Sequence, residues 1–227
     1  MIKNVTFMTF GFGNSNKKFA NRRGALVDKL RSKGIKDERV LAAIGRVPRH
    51  EMIDSALENR AYEDTALPIG KNQTISQPYT VAVQTELMGL SPGERVLEIG
   101  SGSGYQSAVL CEIGVDVFTI ERVKHLYERA RDMLRSMDYN VTIKLGDGTK
   151  GWRAYAPYDG IVVTAGAPAI PTELTRQLTI GGQLVVPVGD RDKQKMIRVT
   201  RTGEDEFEKE SFSHFKFVPL IGEGGWS

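Results

Sequence analysis

The stretch VLEIGSGSGYQSA, residues 96–108, decides the fold. A short strand pattern runs into Gly100, Gly102 and Gly104, and a helical pattern follows. Glycines at such a turn allow tight backbone geometry and the close approach of a ligand. The loop lacks the Gly-Lys-Ser/Thr ending of a P-loop, and its G-x-G-x-G spacing differs from the dinucleotide fingerprint. For the loop taken alone, a tight turn without a ligand is the alternative.

The segments around this loop alternate between strand and helix patterns. Apolar strands are predicted over five ranges: 95–100, 115–121, 141–148, 158–166 and 181–189. Such alternation predicts an α/β, doubly wound, mostly parallel sheet. Two further stretches, KMIRVTRT (195–202) and FEKESFSHFKFVPL (207–220), predict an antiparallel C-terminal strand pair. Upstream, residues 21–60 are predicted as an N-terminal helical segment, with a short third helix at 50–62. Residues 64–76 are predicted as a loop or short hairpin, and a helix is predicted to begin at Pro78.

Three carboxylates follow or end the predicted strands. Glu98 precedes the first glycine, Glu121 ends the second strand, and Asp147 follows the third. Because the carboxyl ends of parallel strands meet at one edge, these side chains can converge on one crevice. Glu121 can accept two hydrogen bonds from a ribose diol, Asp147 one from an adenine amino group, and Glu98 can face a cationic group. Together they favour a nucleoside ligand with positive charge, although each alone could be a solvated strand end.

Ser76, in the stretch NQTISQPYTVA at 72–82, is a candidate for chemistry. A nucleophilic serine needs a base and an orienting group, and none of His50, His125 and His214 lies in a sequence context that indicates a triad. His214 is expected to lie outside any substrate groove. Ser76 is therefore either the N-cap of the helix at Pro78 or a residue whose chemistry needs no base.

Composition sets the class of protein. The chain has 227 residues, a net charge of +3 and one cysteine, Cys111. This charge is too small to predict a nucleic-acid partner, and one cysteine excludes an internal disulfide and a cysteine-based metal cluster. We expect a cytoplasmic protein with no bound metal and no membrane partner. Residues 1–20 are predicted as a flexible extension, and residues 21–227 as a single domain.

The glycine loop with its three carboxylates resembles the S-adenosyl-L-methionine site of the Rossmann-like methyltransferases. A closer resemblance, from about residue 20 onward, is to the protein-L-isoaspartate (D-aspartate) O-methyltransferase family. It rests on six motifs in order: VPRHEMI (47–53), TISQPYTVA (74–82), RVLEIGSGSGYQSA (95–108), GDGTKGW (146–152), YDGIVVTAGAP (158–168) and FVPL (217–220). The elements TISQPY and FVPL are specific to this family, whereas the glycine loop is shared across the superfamily.

The resemblance implies a protein repair enzyme that acts as a monomer. It implies methylation of the α-carboxylate of L-isoaspartyl residues, after which the ester closes to a succinimide that can reopen as aspartate. It implies that Ser76 orients the substrate carboxylate. The implied cofactor contacts are Gln73, Thr74, Ile75, Ser76, Glu98, Gly100, Gly102, Ser103, Gly104, Glu121, Arg122, Asp147 and Gly148. The implied substrate contacts are Ser76, Tyr79, Val218 and Pro219.

One residue and one segment depart from the family pattern. Tyr79 stands where many members have histidine, and the tail after FVPL is short and rich in glycine. Contacts that other members make from that tail are therefore expected to be missing or made by backbone. Two other functions stay open: a small-molecule methyltransferase that uses the same cofactor, and a non-catalytic module that binds adenosine or NAD.

Overall fold

The computed structural model describes residues 12–227, and their side chains from residue 19 onward. In this range the α-helices are α1 (Phe12–Ser32), α2 (Glu38–Arg46), α3 (Pro78–Met88), α4 (Tyr105–Ile113), α5 (Lys124–Ser136) and α6 (Thr172–Thr175). The strands are β1 (Leu67–Gly70), β2 (Gln73–Ile75), β3 (Arg95–Ile99), β4 (Asp116–Glu121), β5 (Val141–Leu145), β6 (Tyr158–Val163), β7 (Leu178–Gly189), β8 (Gln194–Arg201) and β9 (Phe207–Phe215). None of the described helices combines the length and the apolar character that crossing a membrane requires.

The central sheet has the strand order β5-β4-β3-β6-β7-β8-β9. Strands β5, β4, β3, β6 and β7 are parallel, and β8 and β9 are antiparallel to their neighbours. The predicted doubly wound sheet with an antiparallel C-terminal pair is confirmed. The strand order reverses beside β3, and ligands of such sheets bind at the carboxyl end of this switch point.

Strand β3 lies between two apolar layers. Val96 packs in one buried cluster, whereas Leu97 and Ile99 pack in the other. This alternation follows from the two-residue period of a strand, and burial of both faces explains why apolar residues occur on both of them. Glu98 shares a face with Val96 and is completely buried. A carboxylate thus occupies a core position directly before the glycine loop.

The N-terminal helices differ from the prediction in two places. Helix α1 begins at Phe12, so part of the predicted flexible extension is helical, and the buried ring of Phe19 stacks on His50. Residues 1–11 lie outside the described range. The predicted helix at 50–62 is instead two 3₁₀ turns, Arg49–Met52 and Ser55–Arg60. Extended Asp54 interrupts it and caps the second turn through the N–H of Ala56.

The region before α3 is a hairpin, one of the two predicted alternatives. Strands β1 and β2 pair antiparallel with Leu67 opposite Ile75, and the turn residues Lys71 and Asn72 have positive φ angles of 52° and 56°. Helix α3 begins at Pro78 as predicted. Ser76 therefore lies between the end of a paired strand and the start of a helix.

Candidate active site

The glycine loop is shaped by backbone conformations that favour glycine. Gly100, Gly102 and Gly104 have φ angles of 98°, 52° and 86°. A Cβ on Gly100 would lie 2.6 Å from the hydroxyl oxygen of Thr164, and this hydroxyl donates to the carbonyl of Gly100 at 2.7 Å. Substitution at Gly100 would therefore add both strain and a clash.

This loop forms one wall of a cleft with about 810 Å³ of free space, part of it open to solvent. Most of the predicted cofactor and substrate residues line it: Gln73, Thr74, Ile75, Ser76, Glu98, Gly100, Gly102, Ser103, Glu121, Arg122, Gly148, Val218 and Pro219. Tyr105, Gln106, Thr164 and Ile221 also line it, and the sequence analysis did not identify them.

Gly104 is not among the residues that line the cleft, and its cofactor contact stays a prediction. A Cβ at this position would lie 3.1 Å from Leu134 of α5. The absence of a side chain at Gly104 therefore leaves room for Leu134 beside the start of α4.

Glu121 is held in the cleft by backbone hydrogen bonds. Its side chain is nearly buried, and its two oxygens accept from the N–H groups of Gly102 at 2.9 Å and Val123 at 2.8 Å. A carboxylate can accept about four hydrogen bonds, so two places remain for donors on a ligand. The geometry suits the predicted contact with a ribose diol.

Glu98 has a less satisfied environment. The hydroxyl of Ser107 donates to Oε2, whereas Oε1 has no hydrogen-bond partner within residues 12–227. Burial raises the pKa of Glu98 from 4.5 to about 7. The side-chain amide oxygen of Gln106, which is also buried at the cleft, likewise lacks a hydrogen-bond partner among the described residues. Two buried acceptors without donors fit the cationic amino-acid end of S-adenosyl-L-methionine.

Asp147 is not among the residues that line the cleft, and its contact with adenine stays a prediction. Its Oδ1 accepts from the N–H and the hydroxyl of Thr149 at 2.9 and 2.7 Å, and its Oδ2 accepts from the N–H of Glu223 at 3.0 Å. Desolvation acts to raise the pKa of Asp147, but these hydrogen bonds outweigh it and lower the pKa. Asp147 thus anchors the C-terminal tail, and its neighbour Gly148 faces the cleft.

The tail after FVPL makes contacts through both backbone and side-chain groups. Gly224 N–H donates to Thr149 at 3.0 Å, and the indole N–H of Trp226 donates to the carbonyl of Gly166 at 3.0 Å. The carbonyl of Val218 accepts from the N–H of Gly166 at 2.8 Å. These bonds hold Val218 and Pro219 at the cleft.

A second, wider cleft adjoins the first. Four residues line both clefts: Thr74, Ser76, Thr164 and Val218. Tyr79 and Phe215 line the second cleft, and their rings lie 6.4 Å apart. His214 also lines it, which corrects the expectation that this residue would lie elsewhere.

Half-buried Ser76 is part of the boundary between the two clefts. The cap of α3 is Gln77, and its side chain makes no cap hydrogen bond. The alternative that Ser76 caps this helix is therefore wrong. The histidines His50 and His125 are not among the residues that line either cleft, and His50 instead contacts the hydroxyl of Tyr62 at 2.7 Å.

Comparisons with known proteins agree with this geometry. The model of the family "Protein-L-isoaspartate(D-aspartate) O-methyltransferase (PCMT)" matches residues 21–225. A protein-L-isoaspartate O-methyltransferase of Salinibacter ruber is 54% identical over 220 residues, which cover 92% of this chain and 96% of the relative. One of Cytophaga hutchinsonii is 55% identical, covering 90% of this chain and 93% of the relative.

Solved structures agree as well. A protein-L-isoaspartate O-methyltransferase superposes with a TM-score of 0.81 at 29% identity, covering 89% of this chain and 67% of the other. The "beta-aspartate methyltransferase (PCMT) from Plasmodium falciparum in complex with S-adenosyl-L-homocysteine" gives a TM-score of 0.77 at 25% identity, covering 88% and 98%. Because the family model and these relatives match the sequence over nearly its whole length, the chain belongs to the protein-L-isoaspartate (D-aspartate) O-methyltransferase family.

Proposed function

We propose that this chain repairs damaged proteins by methylating the α-carboxylate of L-isoaspartyl residues. One observation carries the proposal: Ser76 lies where a cleft suited to the methyl donor meets a second cleft suited to a peptide. S-adenosyl-L-methionine supplies a methyl group on a positively charged sulfur. A carboxylate oxygen forms the new bond to this methyl carbon, while the carbon–sulfur bond breaks and its electron pair stays on sulfur.

The first cleft provides the contacts that hold the donor. Glu121 accepts hydrogen bonds from the ribose diol, with its orientation fixed by the N–H groups of Gly102 and Val123. Glu98 and Gln106 accept from the ammonium group through oxygens that have no other partner among the described residues. The ammonium also compensates the buried charge of Glu98, which is costly without a partner.

Ser76 acts on the substrate from the boundary between the clefts. Its hydroxyl donates one hydrogen bond to the α-carboxylate and aims the second carboxylate oxygen at the methyl group. A carboxylate with an ordinary pKa near ~4 is already ionised at neutral pH, so no base is needed. The remaining contribution is orientation, which can account for about 7–11 kcal/mol of a barrier.

The second cleft holds the peptide around the isoaspartyl residue. Tyr79, Val218 and Phe215 line it, with Lys193 and Lys216 at exposed positions. We also propose that the enzyme works as a monomer. Analytical ultracentrifugation tests this proposal. A cytoplasmic location remains a prediction that cell fractionation tests.

The experiment that tests the proposed function compares two peptides that differ only at one linkage. Transfer of labelled methyl from S-adenosyl-L-methionine is measured for an L-isoaspartyl peptide and its L-aspartyl twin. We expect labelling of the first peptide only, and a strongly lowered turnover for Ser76→Ala with nearly unchanged affinity for S-adenosyl-L-homocysteine.

Other outcomes would favour the alternative functions. Equal labelling of both peptides, or labelling of neither, would exclude an isoaspartyl methyltransferase. Binding of S-adenosyl-L-homocysteine without transfer to either peptide would point to a small-molecule methyltransferase or a non-catalytic module. Full activity of Ser76→Ala would remove Ser76 from the mechanism.

A further inference from the structure

Helix α3 depends on a residue from another segment to satisfy its N-terminus. Its N-cap Gln77 makes no side-chain cap bond, and Pro78 has no N–H. The first N–H of the helix belongs to Tyr79, and it donates to Oδ1 of Asp64 at 2.9 Å. Asp64 therefore has the role that a side chain at the N-cap position usually has.

A second bond joins the same two segments. The side-chain amide of Gln77 donates to the backbone carbonyl of Asp64 at 3.1 Å. On the other side of Ser76, Ile75 is held in the hairpin opposite Leu67. Ser76 is thus a short connection between a paired strand and a helix start that Asp64 holds at two points.

The Asp64 carboxylate is fixed in turn. Its side chain has no exposed surface, and Oδ2 forms an ion pair with Lys33, which directly follows α1. A buried carboxylate without such a partner would be costly. The Lys33 ammonium also lies 5.0 Å from the centre of the Tyr79 ring, so Lys33 contacts both residues of the Asp64–Tyr79 hydrogen bond.

The loop that carries Asp64 is also connected to the glycine loop. Buried Arg49 donates to the carbonyls of Ala61 at 2.9 Å and Thr65 at 3.2 Å. Its guanidinium lies 4.5 Å from the centre of the Tyr105 ring. Tyr105 is the first residue of α4, directly after the glycines. One loop, residues 61–65, thereby relates the position of Ser76 to that of the cofactor cleft.

We infer that Asp64 is a positioning residue, which caps α3 from outside the helix and so fixes the direction of the Ser76 hydroxyl relative to the cofactor cleft. The inference rests on the proposed role of Ser76. Asp64 touches neither the donor nor the substrate carboxylate, so its effect should appear in turnover and not in cofactor binding.

Three variants of the full-length chain separate the functions of the carboxylate. Asp64→Ala removes both the acceptor and the charge. Asp64→Asn keeps an acceptor oxygen at the same distance and removes the charge. Asp64→Glu keeps the charge and displaces the acceptor by one methylene. Asp37→Ala is the matched control for lost stability, because Asp37 caps α2 through the N–H of Arg39 at 2.8 Å.

We expect kcat for the isoaspartyl peptide to fall by about tenfold to a hundredfold in Asp64→Ala and Asp64→Glu, because small misplacements of an orienting group cost this much. Affinity for S-adenosyl-L-homocysteine, measured by calorimetry, should stay within about threefold of the starting protein, since the cofactor contacts are intact. Asp64→Asn should recover most of kcat. Asp37→Ala should lower the melting temperature and leave kcat unchanged.

The inference is overturned if Asp64→Glu keeps full kcat, or if Asp64→Asn loses as much turnover as Asp64→Glu. These two variants decide the matter even where Asp64→Ala does not fold. Parallel losses of kcat and cofactor affinity would also overturn it. Ser76→Ala is assayed beside the Asp64 variants. If Ser76→Ala loses kcat while the Asp64 variants keep the kcat of the starting protein, the role of Asp64 is rejected and that of Ser76 is not. If Ser76→Ala keeps full kcat, the proposed role of Ser76 is rejected.

Discussion

Two buried glutamates in the cofactor cleft have contrasting environments. Glu121 accepts two backbone N–H bonds, from Gly102 at 2.9 Å and from Val123 at 2.8 Å. Glu98 accepts from one hydroxyl and keeps one oxygen without a partner among the described residues, and burial raises its pKa to about 7. This contrast supports the proposal that Glu121 accepts hydrogen bonds from a neutral donor such as a diol and that Glu98 pairs with a cation.

The first prediction concerns Glu121. Glu121→Ala removes the acceptor for two charge-assisted hydrogen bonds from the ribose diol, each worth about 1.5–3 kcal/mol before relaxation. Affinity for S-adenosyl-L-homocysteine should fall by about tenfold or more, measured by calorimetry. Glu128→Ala, on the outer part of α5 beside Lys124, is the control and should bind normally. An unchanged dissociation constant in Glu121→Ala would show that the ligand does not lie across the end of β4.

The second prediction concerns the pH dependence of stability through Glu98. The unfolded carboxyl loses its proton near pH 4.5 and the folded one near 7, so the folded state binds more protons between these values. Its contribution to stability therefore falls as pH rises through this window, by an amount on the order of 3 kcal/mol. Glu98→Gln lacks this loss, and its unfolding free energy relative to the starting protein should increase from pH 5 to pH 8.

Urea denaturation of the cofactor-free protein at several pH values measures this difference. Glu128→Gln, at a partly exposed position, is the control and should follow the starting protein across the range. Parallel curves for Glu98→Gln and the starting protein would contradict the assigned burial of Glu98.

At the scale of elements, the C-terminal tail completes the cofactor cleft. Val218, Pro219 and Ile221 line the cleft, and the residues that follow are bound to Asp147 and Thr149 by backbone N–H groups. Trp226 makes the last of these contacts. Its indole N–H donates to the carbonyl of Gly166, and the guanidinium of Arg191 lies 5.2 Å from the centre of its ring. The tail thus links the ends of β5 and β6 across the site.

The third prediction concerns Trp226. Trp226→Phe loses the hydrogen bond to Gly166, worth about 0.5–1.5 kcal/mol, and keeps a ring for Arg191. Trp226→Ala loses both contacts and should weaken binding of S-adenosyl-L-homocysteine more than Trp226→Phe does. Calorimetry gives the affinities, and amide exchange at Glu223 reports whether the tail has loosened. Normal affinity in Trp226→Ala would show that the cleft does not depend on the tail.

The sequence predicted elements well where local patterns decide them. The alternation of apolar strands and amphipathic helices is a local signal, so β3 to β9 and α3 to α5 lie close to their predicted positions. The segment at 50–62 was less predictable, because its composition suits a helix and only the extended backbone at Asp54 divides it into 3₁₀ turns. The early start of α1 was missed because glycine and asparagine residues at 11–16 disfavour a helix.

At the scale of the whole molecule, the position of the site followed from topology. Carboxyl ends of parallel strands meet at one edge, so Glu98 and Glu121 could be assigned to one cleft from sequence alone. The orientation of Asp147 could not, because it depends on a tail that folds back from residue 223. Gln106 was also missed, since nothing in its local sequence shows that a buried amide oxygen would lack a donor.

The central claim is that Ser76 orients an ionised carboxylate and that no protein base takes part. The most direct test is kcat from about pH 5 to 8 at saturating cofactor and isoaspartyl peptide, a range that brackets the ordinary histidine pKa of ~6.5. Saturation with a cationic donor keeps Glu98 ionised, so its titration should not enter kcat. We predict a flat profile over this range for the starting protein and for His214→Gln, the variant of the histidine that lines the substrate cleft. A single-proton limb near 6.5 that disappears in His214→Gln would contradict the base-free mechanism.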